Sequence, residues 1–412
     1  MNRDKRHIII VGGGAAGMMA AISAKRQGAH VTILERNPRV GKKILVTGNG
    51  RCNFTNINTE ISHYNGDNPK FAYSALSQFD TYATINLFEK LGIAHKVEEL
   101  GKVFPMSDQA SSVLDVLLYE LNDIGVNIIC NAHVNNIIKK GNSFKIHLKD
   151  KPPIQCDSVI IATGGKAMPS TGSDGNGFEL AKKLGHSVID IFPALVQLKL
   201  EGAFFDQIQG VKFVGTAELL HKDKPLAKDR GDILFANYGI SGPPILQISR
   251  RAGKLLQMGE NAILKITIID TMSKDELRQY MMQRFKDSSN KTVDFSLVGL
   301  INKRLIPVLL REAGIKNIKK PVANLSSKEQ EKIIHILTDW RFKIRGTRSW
   351  PSAQVTAGGV DTSEIDPSTM ESKLVEGLFF AGEVIDIDGL CGGFNLQWAW
   401  SSGFVAGRCA TL

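Results

Sequence analysis

The chain has 412 residues and a formal net charge of +10, and 43% of its residues are hydrophobic. This length predicts two or three domains, and this apolar content excludes a disordered protein. No apolar stretch approaches the roughly 18–20 residues that a membrane-spanning helix needs. The cysteines form no C-x-x-C pair, which argues against a disulfide framework or structural metal and favours the cytoplasm. They are Cys52, Cys130, Cys156, Cys391 and Cys409.

The positive charge is unevenly distributed. Residues 1–60 carry a net +7, from ten Lys or Arg and three Asp or Glu, and residues 301–350 carry +8, from twelve and four. Such asymmetry is typical of a face that meets an anionic partner, although basic surfaces also serve solubility alone. The second cluster, called here the basic segment, makes RNA a candidate partner, with Trp340 and Trp350 as candidate stacking residues.

The first elements form a βαβ unit. Ile8–Val11 predicts a buried strand, Met18–Gln27 predicts a helix that Gly28 ends, and Val31–Leu34 predicts the next strand. Between the first strand and the helix lies Gly12-Gly13-Gly14-Ala15-Ala16-Gly17, a G-x-G-x-x-G motif. A motif in this context is typical of a dinucleotide-binding turn.

Each residue of this turn has a physical role in binding a dinucleotide. Gly12 permits the tight bend, Gly14 lets the backbone approach a pyrophosphate, and Gly17 lets the helix pack on the strand. The start of the helix offers free N–H groups and a positive dipole end to phosphates. A carboxylate at the end of the second strand accepts both ribose hydroxyls. The predicted contacts here are Gly12, Gly14, Ala16, Gly17, Glu35 and Arg36.

A glycine-rich basic loop follows at residues 41–53. It suits a long anionic ligand, because Lys43 or Arg51 would meet phosphate while the Gly50 backbone passes a flat ring. Cys52 is the candidate catalytic group, since a neighbouring arginine favours the thiolate. The alternative is that Cys52 is a small packing residue beside the ring.

Two later strands end in turns that suit the same ligand. Ser158–Ala162 leads into Thr163-Gly164-Gly165, and Gly377–Ala381 leads into Gly382-Glu383. A last helix is predicted over Leu396–Cys409, and the turn before it would present N–H groups to the O2 edge of a flavin. The contacts predicted from these segments are Ala162, Thr163, Gly164, Gly382, Glu383, Gly392, Gly393, Phe394 and Asn395.

The middle of the chain has a different pattern. Val196–Leu200, Phe213–Leu219 and Asn261–Ile269 alternate as antiparallel strands do, and helical spacing prevails from Ser273 to Asp339. These patterns predict an α/β flavoprotein of the two-dinucleotide-binding-domain type. We expect a discontinuous Rossmann-like FAD-binding domain with an inserted β-rich domain that carries a helical subdomain. The expected boundaries are residues 1–193 and 347–412 for the first domain, 194–346 for the second, and about 273–339 for the helical insert.

The motifs together resemble a bacterial family described as NAD(P)/FAD-dependent oxidoreductases. Thr47–Asn53 is the most family-specific segment, and Leu234–Pro243 is similar to an L-F-T-H-x-G-x-S-G-P signature, with Ala236-Asn237 in place of Thr-His. The resemblance implies FAD and a β-rich middle domain with helices. Activities assigned within the family differ: aminoacetone oxidation, a role linked to bile-acid dehydroxylation, and dihydrouridine formation in ribosomal RNA.

Three functions therefore remain open. The first is hydride transfer from NAD(P)H through FAD to an unsaturated substrate such as uridine in rRNA. The chain has no second G-x-G-x-x-G motif, so NAD(P)H would dock only transiently. The second is oxygen-dependent oxidation of a small amine, and the third is a non-catalytic flavin-containing RNA-binding protein. In the first two, the cofactor carries the redox chemistry and the protein orients it.

Overall fold

The computed structural model describes residues 5–412. The chain divides into two compact units: the first runs up to Phe192 and resumes over Trp350–Leu412, and the second is Pro193–Ser349. Within residues 5–412, no helix is both long enough and apolar enough to cross a bilayer.

The strands are, in chain order, β1 (His7–Val11), β2 (His30–Leu34), β3 (Thr55–Asn56), β4 (Tyr64–Asn65), β5 (His95–Val97), β6 (Lys102–Pro105), β7 (Asn127–Ile129), β8 (Val134–Lys140), β9 (Ser143–Leu148), β10 (Ile154–Cys156), β11 (Ser158–Ile161), β12 (Val188–Ala194), β13 (Leu198–Leu200), β14 (Lys212–His221), β15 (Lys224–Ala236), β16 (Gly239–Ser241), β17 (Ile263–Thr267), β18 (Trp340–Thr347), β19 (Val355–Val360), β20 (Leu378–Phe380) and β21 (Asp388–Gly389). The α-helices are α1 (Ala15–Arg26), α2 (Ala72–Gln78), α3 (Thr81–Lys90), α4 (Ala110–Asp123), α5 (Asn176–Lys183), α6 (Phe205–Ile208), α7 (Pro243–Gln257), α8 (Lys274–Asp287), α9 (Val293–Ser296), α10 (Leu305–Glu312), α11 (Ser327–Thr338) and α12 (Phe394–Cys409).

The first unit is built on a five-stranded parallel sheet in the order β20-β11-β1-β2-β7. In the central strand, Ile9 lies between Val159 of β11 and Thr32 of β2. Strands β20 and β11 are buried throughout, and β1 and β2 are buried apart from their first residues, as strands of parallel sheets flanked by helices are; the edge strand β7 is partly exposed. The predicted α/β class with a Rossmann-type sheet is therefore confirmed. The strand order reverses between β1 and β11, and in open α/β sheets ligands bind at that edge, outside the carboxyl ends.

Helices α1 and α12 of the first unit pack closely against each other. Helix α12 lies against α1, and glycines of α12 face the α1 backbone: a Cβ on Gly403 would lie 2.4 Å from the Ala16 carbonyl oxygen, and one on Gly407 would lie 2.2 Å from that of Ala20. These separations are too short for any side chain. The last helix of the chain thus holds the first helix in place by backbone contact.

Both helices begin earlier than the sequence predicts. Helix α1 starts at Ala15 rather than Met18, and α12 starts at Phe394 rather than Leu396. Each is preceded by a glycine at the N-cap position, Gly14 and Gly393. Low helix propensity of the glycine-rich turns hides these first residues in the sequence, although tertiary packing makes them helical.

The second unit contains a closed antiparallel barrel in the order β13-β16-β15-β14-β17-β18. Helices α8 to α11 lie between β17 and β18 in the chain, so the predicted β-rich domain with a helical insert is present. Aromatic rings pack against one another in the core of this unit, with Trp340 and Phe342 centroids 4.8 Å apart; Phe205 and Phe235 belong to the same cluster. Trp340 is only 2% exposed. This burial removes Trp340 from the candidate RNA-stacking residues.

Candidate functional site

The predicted motifs meet at the carboxyl edge of the parallel sheet. Gly12 follows β1, Glu35 follows β2, Ala162 follows β11 and Ala381 precedes Gly382 after β20. Backbone hydrogen bonds continue the strand order across this edge, from Gly12 N–H to Leu34 (2.8 Å), from Ala162 N–H to Val11 (2.9 Å) and from Ala381 N–H to Ile161 (3.0 Å). Four segments far apart in the sequence therefore form one edge.

The glycines of the first turn differ in what surrounds them. Gly12 has φ +107°, and a Cβ there would lie 2.5 Å from the Ala162 carbonyl oxygen. A Cβ on Gly17 would lie 1.9 Å from the Gly12 carbonyl oxygen. Gly14 has an ordinary φ of −84° and no described atom within 4 Å of its Cβ position. The first two glycines are needed by the fold, whereas Gly14 leaves open space at the N-terminus of α1, where an anion fits.

Glu35 is held with both carboxylate oxygens oriented. It is 7% exposed, and its Oε2 accepts from the Gly13 N–H at 2.9 Å. Its Oε1 accepts from the backbone and side-chain N–H groups of Asn37 at 2.7 and 2.9 Å. Both lone pairs of Oε1 are thereby used, whereas Oε2 keeps one for another donor, so the chemistry fits a ribose hydroxyl at Oε2. Arg36 is instead turned to Asp174, with which it forms an ion pair.

An ion pair joins the basic loop to the Gly382-Glu383 turn that follows β20. Lys43 Nζ lies 2.6 Å from Glu383 Oε2, and the other oxygen of Glu383 accepts from the Thr356 N–H at 2.7 Å. The structure thus brings the two predicted site residues together. In this arrangement the positive charge of Lys43 is balanced by Glu383.

Three consecutive residues of the basic loop, ending at Gly50, have left-handed backbone conformations. Gly48, Asn49 and Gly50 have φ values of +55°, +57° and +84°. At Gly50 the nearest atom to a Cβ position would be the Leu45 carbonyl oxygen at 4.0 Å. The Gly50 backbone is thus open to a close approach, as the sequence suggests for a flat ring.

Arg51 does not lie as the phosphate or thiolate interpretation requires. Its guanidinium forms ion pairs with Glu98 and Asp108, and its Cζ lies 4.0 Å from the centre of the Phe104 ring. Hydrogen bonds from Arg51 lower the pKa of the Glu98 carboxyl, and those from Lys96 and Arg51 lower the pKa of the Asp108 carboxyl. The charge of Arg51 is compensated by these carboxylates rather than by Cys52.

Cys52 is buried, with none of its surface exposed, and it has φ +61°. Burial raises the pKa of its thiol to about 12, which a hydrogen bond with Thr47 only partly offsets. A thiol in such surroundings stays protonated and inert at neutral pH. The catalytic-thiolate prediction is therefore disfavoured, and the geometry supports the alternative of a packing residue.

Alkylation tests this conclusion. We expect iodoacetamide at pH 8 to leave Cys52 unmodified in the folded protein, because the thiol is neutral and inaccessible, and to modify it after unfolding in urea. Peptide mass spectrometry measures both states, with the half-buried Cys130 as an internal comparison. Stoichiometric labelling of Cys52 in the folded protein would restore the thiolate interpretation.

The turn before α12 is braced from both sides. A Cβ on Gly393 would lie 2.4 Å from the Thr55 carbonyl oxygen. Asn395 accepts from the Gly389 N–H and donates to the Gly389 carbonyl, each at 2.8 Å. The Phe394 ring stacks on His63 with centroids 4.4 Å apart. Because the side chains of Phe394 and Asn395 are engaged within the chain, a ligand here would meet backbone groups.

Several residues that hold the site carry no sequence signal. Asn56 donates to the Gly392 carbonyl at 2.8 Å, Trp398 Nε1 donates to the Gly382 carbonyl at 3.1 Å, and Ser402 accepts from the Gly382 N–H at 2.9 Å. Thr356 Oγ1 accepts from the Lys166 and Ala167 N–H groups. They position the glycine turns and belong to no motif.

Comparison with known proteins identifies the family. The model of the HI0933-like protein Rossmann domain matches residues 6–409. The chain belongs to the HI0933-like family. It is an FAD-dependent oxidoreductase, as the glycine motifs and the family resemblance predict.

Within this family, two relatives cover nearly the whole chain. The 3-dehydro-bile acid delta(4,6)-reductase of Clostridium scindens is 40% identical over 412 residues, which are 100% of this chain and 99% of that protein. The ribosomal RNA dihydrouridine synthase of Escherichia coli is 33% identical over 400 residues, covering 97% and 96%. Among solved structures, 3-ketosteroid delta1-dehydrogenase from Sterolibacterium denitrificans has the same fold, with a TM-score of 0.51 at 11% identity and coverage of 99% of both chains.

Proposed function

We propose that this HI0933-like protein reduces a carbon–carbon double bond conjugated to a carbonyl group, with NAD(P)H as the electron donor. Both reactions named for the relatives, reduction of a 3-dehydro-bile acid at delta(4,6) and formation of dihydrouridine, saturate such a bond. Overall, a hydride from NAD(P)H and a proton from solvent add across the double bond, and NAD(P)⁺ is released. The observation that carries the proposal is the single edge at which the segments after β1, β2, β11 and β20 meet.

We assign FAD to the first unit. The open space at Gly14 would take the pyrophosphate at the start of α1, and the oriented carboxylate of Glu35 would accept from the ribose. The Gly50 backbone and the turn at Gly392–Asn395 would flank the ring. When bound, FAD supplies the two-electron chemistry. The chain's own residues would bind and orient it, and Cys52 is a buried packing residue of the basic loop that does not react.

Uridine in rRNA is a second candidate substrate, and one feature of the second unit supports it. Lys303 and Lys316 of the basic segment are exposed and form no ion pair within residues 5–412. Part of the positive charge of the segment is compensated within the chain, because Lys319 lies 2.6 Å from Asp294 and Lys320 lies 2.7 Å from Glu329. We therefore place a small conjugated carbonyl compound first and RNA second.

Anaerobic stopped-flow absorbance tests the proposal. We expect NADPH or NADH to bleach the flavin band of the holoenzyme, and a conjugated enone such as 4-androstene-3,17-dione to restore it in a second mixing step. Recovery of the band only with uridine-containing RNA would favour the second candidate. Bleaching by an amine such as aminoacetone, with no response to NAD(P)H, would contradict the proposal and favour the oxidase. Inertness toward every donor would favour the non-catalytic protein.

A further inference from the structure

Leu100 in the first unit combines an exposed apolar side chain with an unfavourable backbone conformation. Leu100 is 78% exposed and has φ +61°. Left-handed geometry costs a branched L-residue about 1–2 kcal/mol, and exposure gives the side chain no burial in return. Such an outlier is a reason to look for a function, because strained residues concentrate at ligand sites.

Leu100 lies at the tip of a short hairpin. Strands β5 and β6 pair antiparallel, with His95 opposite Pro105 and Val97 opposite Val103, and residues 98–101 connect them. Gly101 forms the second left-handed position of this tip, with φ +75°. A Cβ on Gly101 would lie 2.7 Å from Asn56 Oδ1. The tip is therefore seated directly on Asn56.

This seating ties the tip to the turn before α12. The side-chain amide of Asn56 donates both to the Leu100 carbonyl, at 3.1 Å, and to the Gly392 carbonyl, at 2.8 Å. Asn56 is almost wholly buried. One rigid side chain thus spans from the hairpin tip to the turn at which we place the ring of the cofactor.

The hairpin is also fixed at its base. Asp108 lies 2.5 Å from Lys96 and 2.6 Å from Arg51, and Arg51 also pairs with Glu98. The N–H of Val103 donates to Asn53 Oδ1 at 3.2 Å. These ion pairs and this hydrogen bond fix the position of the hairpin tip.

The surface around the tip combines exposed aliphatic side chains with the carboxylates of Glu98 and of the exposed Glu99. Ile57, whose N–H donates to the Gly101 carbonyl at 2.9 Å, and Val97 on β5 are both exposed. Exposed aliphatic side chains beside a reaction site fit an apolar ring system and offer nothing to a phosphate backbone.

We infer that Leu100 is a specificity-determining residue that contacts the apolar rings of the substrate, with Ile57 and Val97 beside it. The inference rests on the proposed function, since it takes the ring site from that proposal. It deepens that proposal by naming the substrate class: an apolar polycyclic enone rather than a nucleotide in RNA. The hairpin tip acts by binding and takes no part in the redox chemistry.

The test is a titration of the oxidised holoenzyme with 4-androstene-3,17-dione, followed by the shift of the flavin absorbance. Leu100→Asn is the informative variant, because asparagine tolerates the left-handed conformation while losing the apolar contact. We expect its Kd for the steroid to rise about tenfold, as loss of a partly buried leucine contact predicts. The selectivity for the steroid over 2-cyclohexenone, as a ratio of kcat/KM, should fall by a similar factor.

Tyr119→Ser is the matched control, since Tyr119 on α4 is 74% exposed and the neighbouring Glu120 pairs with Arg26 at the end of α1 opposite to Gly14; its Kd should equal that of the wild type. An unchanged Kd in Leu100→Asn would overturn the inference, and so would loss of FAD from that variant. Failure of the wild type to bind the steroid would also overturn it. Steroid binding that weakens in Leu100→Asn without any turnover in the wild type would support the inference and contradict only the proposed reaction.

Discussion

Gly14→Ala should yield a folded protein that binds FAD about 10- to 100-fold more weakly, by about 1.5–3 kcal/mol. The added Cβ meets no described atom within 4 Å and the φ of −84° suits alanine, so the fold has room for it. The same Cβ would stand where we place the pyrophosphate. Loss of one charge-assisted hydrogen bond to phosphate, about 1.5–3 kcal/mol, would weaken FAD binding about 10- to 100-fold.

Two measurements separate the cofactor from the fold. FAD affinity comes from quenching of flavin fluorescence, and the free energy of unfolding of the FAD-free protein comes from urea denaturation. For Gly14→Ala the free energy of unfolding should fall by no more than about 1 kcal/mol, because alanine is a poorer N-cap than glycine. The matched variant is Gly17→Ala, whose Cβ would lie 1.9 Å from the Gly12 carbonyl oxygen. This variant should lose both FAD affinity and stability. Wild-type FAD affinity in Gly14→Ala would remove the pyrophosphate from this turn.

A chain that ends at Arg345 should fail to bind FAD and should lose the first unit as a folded body. It lacks β20, which pairs with β11 from Val159 to Ile161, and α12, which packs on α1 through Gly403 and Gly407. It also lacks Glu383, the ion-pair partner of Lys43. Removal of a sheet strand together with its covering helix exposes far more apolar surface than marginal stability allows.

Flavin content after purification and the near-ultraviolet dichroism of the truncated chain measure this effect. A chain that lacks only Leu412, which is largely exposed, is the control and should behave as the full chain does. Normal flavin content in the chain ending at Arg345 would show that the cofactor binds elsewhere.

The glycine motifs could be predicted from sequence because their spacing reflects local backbone requirements. Gly12 needs a positive φ and Gly17 allows no Cβ, and both constraints are read within a six-residue window. The buried strands β1, β2, β11 and β20 are continuous β-branched or apolar runs, which is the pattern of a parallel sheet. Their assembly at one edge then follows from parallel topology.

The partners of the charged residues cannot be predicted from the sequence, because they are remote in the chain. Arg51 lies beside Cys52 in the chain, yet its guanidinium pairs with Glu98 and Asp108. Lys43 meets Glu383, a carboxylate 340 positions later. Burial of Cys52 and of Trp340 likewise depends on packing that no local pattern encodes. The FAD contacts themselves, like the boundaries expected for the two domains, stay predictions.

The contact of α12 with α1 has a consequence for the order in which the protein is made. Helix α1 is synthesised before the second unit, whereas its backbone partner α12 is synthesised after that unit. At about 5–20 residues per second, synthesis of the second unit alone separates the two by roughly 10–30 s. During that time the second unit can fold, because it is contiguous in sequence. Until α12 has been synthesised, α1 lacks this backbone partner, so we expect FAD to bind only after that point.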